Sequence, residues 1–423
     1  MRGSEQDFDV VVVGGGVIGL CSAYYLQQQG RSVAVVDKAD LGSGSSSGNA
    51  GLVVPSHFVP MAAPGVIRQG LGWMLNPDSP FYIKPRADLD LIQWLWKFAK
   101  ASNQKNVERC VPILLDLHLK SLALYEELHE AEAVSSFGFE QNGLLMLYRT
   151  EAGEEECQEL TEMSHAIDLP AEMLTPEQVS ARIPNLELTI RGGTWLPKDA
   201  HLNPAALILS LRERLTNLGT TFFTHQEVKE FKTEGGHIRE IETHYTSLSA
   251  KEFVLASGAW SPGITKQLGL NVPIQAAKGY SLMAPDLKGK LNLPLILTDS
   301  KVAVTPLAEG VRFAGTLEMA GIDTSINPRR VRAIQNAAPQ FIPSFRLAEE
   351  KLTKPEVWAG LRPLTPDGLP IIGRVPRFEN LALAAGHGMM GVSLAPITGK
   401  LVSEIILGAA PSAATADLAV NRF

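Results

Sequence analysis

The 423-residue chain is long enough for two domains, and 45% hydrophobic with 20% charged residues is a globular composition. A formal net charge of −7 gives no indication of the basic surface that nucleic-acid-binding proteins need. Three scattered cysteines without a CxxC pair argue against a zinc site or disulfide framework and fit a reducing compartment, so we expect a cytoplasmic protein. The absence of a long apolar run and of a basic segment before an apolar one predicts neither a spanning helix nor a secretion signal.

The first pattern is a strand, a glycine turn, a helix and a second strand. Residues 10–13 are all valine, which is typical of a strand buried on both faces, and residues 14–19 match G-x-G-x-x-G. A helix follows to about Gln29, and a β-branched run ends on Asp37, 18 residues after Gly19. The turn admits a pyrophosphate and the Asp37 carboxylate can accept both ribose hydroxyls, which predicts dinucleotide binding. The residues assigned to this unit are Gly14, Gly16, Val17, Ile18, Gly19 and Asp37.

Two questions stay open at this motif. A glycine turn between a strand and a helix can be purely structural, and the motif does not choose between NAD and FAD. An acid rather than an arginine after the second strand argues against NADP.

Residues 41–51 form a loop of small residues rich in hydroxyl groups. The loop is either a flexible linker or a second lining of the cofactor site, and a linker directly after Asp37 would leave the pyrophosphate uncovered. An acid-ending strand followed by a Ser-rich, Asn-Ala-Gly loop resembles the D-amino-acid oxidase/dehydrogenase (DAO) superfamily of flavoproteins. The likeness is greatest to bacterial D-amino-acid dehydrogenase small subunits and continues through residues 53–55 and 62–65. It implies further cofactor contacts from Lys38, Ser45, Ser46, Asn49, Ala50, Gly51 and Leu52.

Residues 66–130 contain Trp73, Trp94 and Trp96 among apolar and basic residues. Leu91, Leu95 and Phe98 fall on one helix face, which either packs against the protein or contacts a membrane surface. Relatives that deliver electrons to a membrane quinone keep the second interpretation open.

The middle of the chain alternates strands and helices. A helix is expected from about residue 151 to 167, another from Asn203 to about Leu218, and strands at 220–223 and 226–231. By resemblance, the Val228 backbone meets the adenine. A buried strand ends in a small-residue turn at 256–261, which is either an ordinary loop exit or the second phosphate-side motif of the superfamily. The second interpretation adds Ser257, Gly258 and Trp260 to the cofactor residues.

Residues 271–345 are β-rich and resemble the sheet that roofs the substrate in D-amino-acid dehydrogenases. Tyr280 and His57 are candidate substrate contacts, with a packed aromatic ring and a hydrogen-bonded core histidine as the alternatives. In residues 358–368, Gly-x-Arg-Pro resembles the carboxylate site of D-amino-acid oxidases. Arg362 is therefore assigned to a substrate carboxylate, which a planar guanidinium binds through two parallel hydrogen bonds. An arginine that only pairs with Asp367 is the alternative.

The last motif runs from Gly386 to Val392 and leads into a helix from about Ser393, whose N-terminus would stabilise negative charge on a reduced flavin. His387 is either catalytic or, as is commoner between glycines, structural. Sarcosine-oxidase-like relatives attach flavin through a Cys near Gly360 and carry a Lys at Met390, and dimethylglycine-dehydrogenase-like relatives attach it through a His near Gly48. This sequence has none of these residues, so FAD is expected to bind non-covalently and an N-methylglycine substrate is disfavoured. The remaining cofactor contacts assigned here are Gly360, Gly388, Met389, Gly391 and Val392.

These motifs predict an α/β and α+β protein: a Rossmann-like, glutathione-reductase-like FAD-binding domain with an inserted substrate domain on a mixed or antiparallel sheet. The FAD-binding domain is expected from residues 1–65, 191–262 and 350–423, and the substrate domain from 66–190 and 263–349. The implied reaction is oxidation of an amino acid by hydride transfer to flavin N5. The substrate class is a D-amino acid, D-proline and hydroxy-D-proline included. Electrons would pass to a quinone or another acceptor.

Alternatives to this function are an oxygen-using D-amino-acid or glycine oxidase and a non-enzymatic FAD-binding scaffold. The expected location is the cytoplasm, with peripheral contact at the inner face of the membrane as an option. The oligomeric state is left open.

Overall fold

A computed structural model describes residues 6–74, 79–131, 133–346 and 357–423. The helices are α1 (Val17–Gln28), α2 (Val66–Met74), α3 (Leu89–Ala101), α4 (Gln104–Glu130), α5 (Glu151–His165), α6 (Pro176–Arg182), α7 (Pro204–Asn217), α8 (Ser261–Gln267), α9 (Pro328–Phe341) and α10 (Ala395–Leu407). The strands are β1 (Gln6–Val13), β2 (Val33–Val36), β3 (Leu52–Val53), β4 (Phe81–Ile83), β5 (Leu144–Tyr148), β6 (Glu172–Leu174), β7 (Gly192–Leu196), β8 (Ala200–His201), β9 (Thr221–Phe223), β10 (Glu230–Glu234), β11 (His237–Glu242), β12 (Ser247–Leu255), β13 (Gln275–Ala284), β14 (Leu295–Leu297), β15 (Val302–Leu307), β16 (Gly310–Met319), β17 (Val357–Leu364), β18 (Ile371–Arg374) and β19 (Leu381–Ala385).

Parallel strands β12, β1, β2 and β9 form the centre of the first sheet. Val10 and Val12 pack into the core that α1 shares, while Val11 and Val13 face a separate core on the other side. A strand covered on both faces has no polar side, which explains a run of valines. β12 pairs with two further strands along its edge away from β1: its first half with antiparallel β11 and its second half with parallel β19.

The second sheet is mixed, in the order β17, β13, β16, β15, β14, β5, β7 and β6. Most neighbours are antiparallel, whereas β14 with β5 and β4 with β16 are parallel. α9 covers one face through Val331 and Ile334, and α3 packs on the other face, where the Trp94 indole donates to Leu364 O at 3.0 Å. The predicted fold class, a Rossmann-like sheet beside a mixed sheet, is confirmed.

The structure differs from the expected domain boundaries in three segments. β7 pairs with β5, and β17 pairs with β13, so both belong to the second sheet although they were expected in the FAD-binding domain. α4 was expected in the substrate domain, but its apolar face packs with α1 and α10 beneath the first sheet. Sequence pattern gives the type of an element, whereas the sheet that it joins depends on partners far away in the chain.

Two element boundaries also differ. The strand expected at 226–231 begins only at Glu230, because Gln226 donates its N–H to Asp37 O and thereby turns the chain at the end of β2. The last helix begins at Ala395 rather than near Ser393.

Candidate active site

A cavity of about 630 Å³ opens at the carboxyl ends of β1 and β2 and reaches β17 of the second sheet. Strand ends of a parallel sheet are where ligands bind in open α/β folds. Seventeen of the assigned site residues line the cavity. They are Gly14, Gly16, Val17, Ile18, Asp37, Lys38, Ser45, Ser46, Asn49, Val228, Ser257, Gly258, Trp260, Arg362, Gly388, Gly391 and Val392.

The glycine turn has the close approaches that its motif implies. Gly14 has φ +115°, and a Cβ there would lie 2.5 Å from Ala256 O at the end of β12. A Cβ on Gly19 would lie 1.9 Å from Gly14 O, so the third glycine lets α1 pack against the turn without lining the cavity itself. These contacts explain why neither position tolerates a side chain.

The N-terminus of α1 opens into this cavity. Its N-cap, Gly16, supplies no side-chain acceptor, and Ser46 Oγ accepts the N–H of Val17 at 3.0 Å. In the described part of the chain, the N–H groups of Ile18 and Gly19 have no acceptor. Free N–H groups and the positive end of the helix dipole together form a site for a phosphate.

Asp37 stands at the end of β2 beside the turn. Its Oδ2 accepts the N–H of Gly15 at 2.7 Å and its Oδ1 accepts the N–H of Ala39 at 2.9 Å. Burial raises the pKa of Asp37, and these two hydrogen bonds act in the opposite direction. Each carboxylate oxygen keeps a free lone pair, which is what the two hydroxyls of a ribose need.

Arg362 lies at the far end of the cavity with part of its side chain accessible. A Cβ on Gly279 would lie 2.4 Å from the guanidinium carbon, so the guanidinium rests on the bare backbone of β13. Nη1 donates to Thr316 O, the carbonyl of a residue with φ +66° at a bulge between β13 and β16. The bulge turns that carbonyl towards the guanidinium.

No carboxylate pairs with Arg362 in the described residues, and burial lowers its pKa to about 10. The alternative partner, Asp367, accepts instead from Arg109 Nη2 at 3.0 Å and from Arg422 Nε at 2.9 Å. An accessible guanidinium without a counter-charge deep in a protein is suited to bind an anionic ligand.

The family model described as FAD dependent oxidoreductase (DAO) matches residues 9–405. The chain belongs to this family. It is 32% identical to a D-amino acid dehydrogenase of Granulibacter bethesdensis, over 98% of this chain and 99% of that protein. A D-amino acid dehydrogenase of Vibrio atlanticus is 31% identical over 98% and 100% of the two chains.

Solved structures show the same fold. Glycine oxidase from Geobacillus kaustophilus superposes with a TM-score of 0.78 at 23% identity, over 99% of both chains. L-proline dehydrogenase from P. horikoshii gives a TM-score of 0.74 at 21% identity, over 99% of this chain and 98% of that one.

This DAO-family oxidoreductase has a cavity that fits FAD, its cofactor. The open α1 N-terminus fits a pyrophosphate and Asp37 a ribose, and the lining continues to Gly388 and Val392 for the rest of an extended molecule. The three cysteines are buried and none lines the cavity, and glycine stands at positions 48 and 360, near which the family resemblance would place an attachment residue. Non-covalent binding agrees with this lining.

Six assigned cofactor residues do not line the cavity: Gly19, Ala50, Gly51, Leu52, Gly360 and Met389. Gly51 packs against Leu202 O, and Leu52 pairs with His201 in the two-stranded antiparallel sheet of β3 and β8. Gly360 lies beneath the ring of Trp358, which would be 1.9 Å from a Cβ. These six residues lie outside the set that lines the cavity.

Neither Tyr280 nor His57 reaches the cavity that holds Arg362. Side chains alternate along a strand, and Ala277 stands opposite Arg362, so Tyr280 projects from the other face of β13. Tyr280 is 1% exposed and its hydroxyl donates to Glu318 Oε2 at 2.7 Å. The Nδ1 of His57 lies 3.1 Å from Ser56 Oγ, and burial lowers the pKa of His57 to about 4. The structure therefore supports the packed-residue interpretation of both.

His387 does line the cavity, but as a buried residue whose Nε2 lies 3.0 Å from Thr398 Oγ1. Burial lowers its pKa to about 3, so the ring is neutral at physiological pH. Lining residues that sequence reasoning missed include Gly42, Ser43, Gln226 and Thr324. The first two lie in the Ser/Gly loop already noted, whereas nothing in the sequence marks Thr324.

The described ranges contain no group of three His, Cys, Asp or Glu side chains placed to hold a metal ion. Nor does any described helix combine the length and apolar character needed to cross a membrane.

Proposed function

We propose that this protein oxidises a D-amino acid, D-proline and hydroxy-D-proline included, to the imino acid and passes the electrons to a quinone or another acceptor. The observation that carries the proposal is Arg362: an accessible guanidinium, free of any described acidic partner, in the same cavity as the cofactor motif. The named relatives from Granulibacter bethesdensis and Vibrio atlanticus support the substrate class.

The residues of the chain bind and orient the substrate in this reaction. Arg362 gives two parallel N–H groups to the carboxylate, while Thr316 O holds Nη1 in place. With a pKa of about 10, the guanidinium stays charged at neutral pH. FAD, when bound, supplies the hydride acceptor. His387 does not act as a base because its buried ring is held by Thr398, so the amine enters neutral and orientation supplies the rate.

The decisive experiment is an anaerobic absorbance titration of the purified holoprotein with D- and L-amino acids, including D-proline and hydroxyprolines. We expect the flavin bands to bleach with D-enantiomers only. Rapid recovery of the bands in air would point to an oxygen-using oxidase, and recovery only with a quinone to a dehydrogenase. Flavin that no amino acid bleaches would contradict the proposal and favour a scaffold role.

We further propose that the protein contacts the inner face of the membrane through an apolar patch, defined as Ile67, Leu71, Met74, Leu89, Ile92 and Trp96. α2 buries none of its residues, and Leu71 is 62% exposed; on α3, Trp96 is 58% exposed. The face of α3 that carries Leu91, Leu95 and Phe98 packs in an apolar cluster with Phe81, and the ring of Phe81 also lies 6.5 Å from that of Trp73 on α2.

Charge on these helices favours a lipid surface as the partner of the patch. Arg68 is exposed on α2, and Lys100 lies 3.5 Å from the ring of Trp96. Asp90, an acid on α3, is already paired with Lys266. Aromatic and basic groups together suit the headgroup region of an anionic leaflet.

Co-sedimentation with phosphatidylglycerol vesicles tests the patch. Leu71→Glu and Trp96→Glu should abolish vesicle binding, whereas Leu209→Glu, at a leucine 63% exposed on α7, should not. Added salt should weaken the wild-type association. Equal sedimentation of all variants, or none for the wild type, would contradict a membrane contact.

A further inference from the structure

The loop at 320–327, between β16 and α9, brings Thr324 into the cavity that holds Arg362. Residues 320–327 form neither helix nor strand, and the side chains of Ile322 and Ile326 are 56% and 43% exposed. A segment without backbone ladders or a packed apolar face depends on contacts from elsewhere in the chain to keep one conformation.

A buried lysine of β13, Lys278, supplies such contacts. Lys278 is 1% exposed, and its Nζ donates to Asp323 Oδ2 at 3.1 Å and to Ser325 O at 2.9 Å. These two partners stand on either side of Thr324. Asp323 Oδ1 also accepts the N–H of Ser325 at 2.9 Å, which closes a turn around Thr324. Hydrogen bonds from Ser325 and then the Lys278 ammonium lower the pKa of Asp323 to about 2, so the carboxylate is charged at neutral pH.

The second sheet also fixes the position of the Lys278 ammonium. Glu318 stands opposite Lys278 on β16 and is 5% exposed. Its Oε2 lies 3.9 Å from Lys278 Nζ and accepts the Tyr280 hydroxyl at 2.7 Å. Moving a buried cation away from such partners would leave charges unpaired in the protein interior. Lys278 therefore ties the loop to the centre of the second sheet.

This anchor lies at the end of the sheet where Arg362 is found. In the pairing of β13 with β17, Lys278 stands opposite Leu361 and Ala277 stands opposite Arg362. Successive residues of a strand project to opposite faces, so Lys278 holds the loop from the face away from Arg362. The loop continues from the end of β16, and its residue Thr324 lines the cavity together with Arg362.

We propose that Thr324 is a specificity-determining residue that contacts the side chain of the amino acid, and that Lys278 is the positioning residue that holds Thr324 in place. This inference rests on the proposed oxidation of an amino acid whose carboxylate Arg362 binds. Threonine offers a methyl group, against which a short or cyclic apolar side chain packs, and a hydroxyl, which hydrogen-bonds to a ring hydroxyl such as that of hydroxy-D-proline. A bulky side chain would collide with a loop that its anchor prevents from moving away.

Rates of anaerobic flavin reduction by pairs of amino acids test the role of Thr324 in the holoprotein. In Thr324→Ala, the rate with D-phenylalanine relative to D-alanine should rise about tenfold, because the loop then leaves more room. Thr324→Val keeps the shape but removes the hydroxyl, so the rate with hydroxy-D-proline relative to D-proline should fall about fivefold. Ile322→Ala changes an exposed residue of the same loop outside the cavity lining and should leave both ratios unchanged.

Hydrogen–deuterium exchange of the holoprotein tests the anchor without any substrate. In Lys278→Met, the amides of 320–327 should exchange faster, whereas those of α1 should exchange as in wild type. The same variant should lose discrimination between D-phenylalanine and D-alanine, with its FAD affinity unchanged. Lys232→Met, at a lysine paired with Glu240 on the first sheet, is the control.

Unchanged ratios in both Thr324 variants would overturn the specificity role while the proposed oxidation stands. Flavin that no amino acid bleaches would overturn the proposed function and this inference with it. Wild-type exchange at 320–327 in Lys278→Met would overturn the positioning role. If Lys278→Met does not fold, Asp323→Asn removes the same ion pair from its more accessible side, and wild-type exchange in that variant would have the same meaning.

Discussion

At the level of single residues, Arg362 is distinguished by a neighbouring glycine and by the lack of a described acidic partner. Gly279 leaves the space in which the guanidinium rests, and Thr316 O occupies only one edge of it. The other N–H groups have no described acidic partner and therefore remain available to a carboxylate.

Replacing Arg362 should separate substrate binding from cofactor binding. Removing one partner of a buried charged pair costs roughly 2–4 kcal/mol, so Arg362→Met should raise KM for the amino acid about 30- to 1,000-fold. Arg362→Lys should be intermediate because a point charge replaces the planar fork. The flavin spectrum should be unchanged. Arg191→Met, at an exposed arginine paired with Glu154, is the control; a KM equal to that of wild type in Arg362→Met would remove Arg362 from the site.

A second single residue controls stability against pH. Asp199 is 1% exposed, and burial raises its pKa from 3.8 to about 7, although Ser56 donates both Oγ–H at 2.6 Å and N–H at 3.1 Å. Between these two values the folded protein binds a proton that the unfolded chain has released. Stability therefore falls as pH rises from about 4 to about 7, by roughly 4 kcal/mol in total.

Asp199→Asn should abolish this part of the pH dependence. The amide keeps the acceptor for Ser56 N–H and donates to Ser56 Oγ, which can turn to His57 Nδ1 at 3.1 Å. We expect the variant and wild type to have similar thermal midpoints near pH 4, with the variant higher at pH 8. A difference that does not grow with pH would contradict the raised pKa.

At the scale of elements, α4 holds the C-terminal loop of the cavity in place. The Tyr125 hydroxyl, fully buried, donates to Val392 O at 2.6 Å, and His118 Nδ1 lies 2.9 Å from Ser393 Oγ. Both contacts join a helix in the first third of the chain to the last cavity motif.

Tyr125→Phe should loosen that loop. The Val392 carbonyl would lose its hydrogen bond at a cost of roughly 1–3 kcal/mol. Because Gly391 and Val392 line the cavity, we expect a lower thermal midpoint and weaker FAD binding in a fluorescence titration. Tyr24→Phe, at a buried tyrosine of α1, serves as the control. Equal FAD affinity in the two variants would show that α4 does not position the loop.

At the scale of the whole molecule, the cavity is where the two sheets meet. Its lining combines the glycine turn of the first sheet with Arg362 of the second, and Arg312 of β16 crosses the same boundary, where its Nη1 donates to Asn49 O at 2.7 Å. A ligand that touches both sheets stabilises them together.

Calorimetry of the apoprotein with and without FAD tests this coupling. At 100 times the dissociation constant, FAD should add about 2.7 kcal/mol of stability and raise the thermal midpoint of the whole chain. We expect any separate transitions of the apoprotein to merge. A transition that stays unshifted at saturating FAD would show that one sheet unfolds independently of the cofactor.

What could be predicted from the sequence was local. The glycine turn, α1 and Asp37 lie within one short segment, so their spacing alone brings them together. Arg362 was assigned because the residues next to it in the chain resemble the carboxylate site of D-amino-acid oxidases. The two interpretations of Tyr280, a substrate contact or a packed ring, could not be separated locally because a strand has two faces. Only the pairing of β13 with β17 shows that Tyr280 and Arg362 project to opposite faces.

From the sequence, periodicity and turn chemistry indicate the cofactor unit, whereas the fold class and the assignment of Arg362 to a substrate carboxylate came through the resemblance to the family. Tertiary structure decided which sheet β7 and β17 join, which core α4 enters, and that Arg312 faces Ser47 and Asn49, about 265 residues earlier in the chain. Such contacts form only when residues far apart in the chain are brought together, at the entropic cost of closing a long loop. No local sequence pattern therefore encodes them.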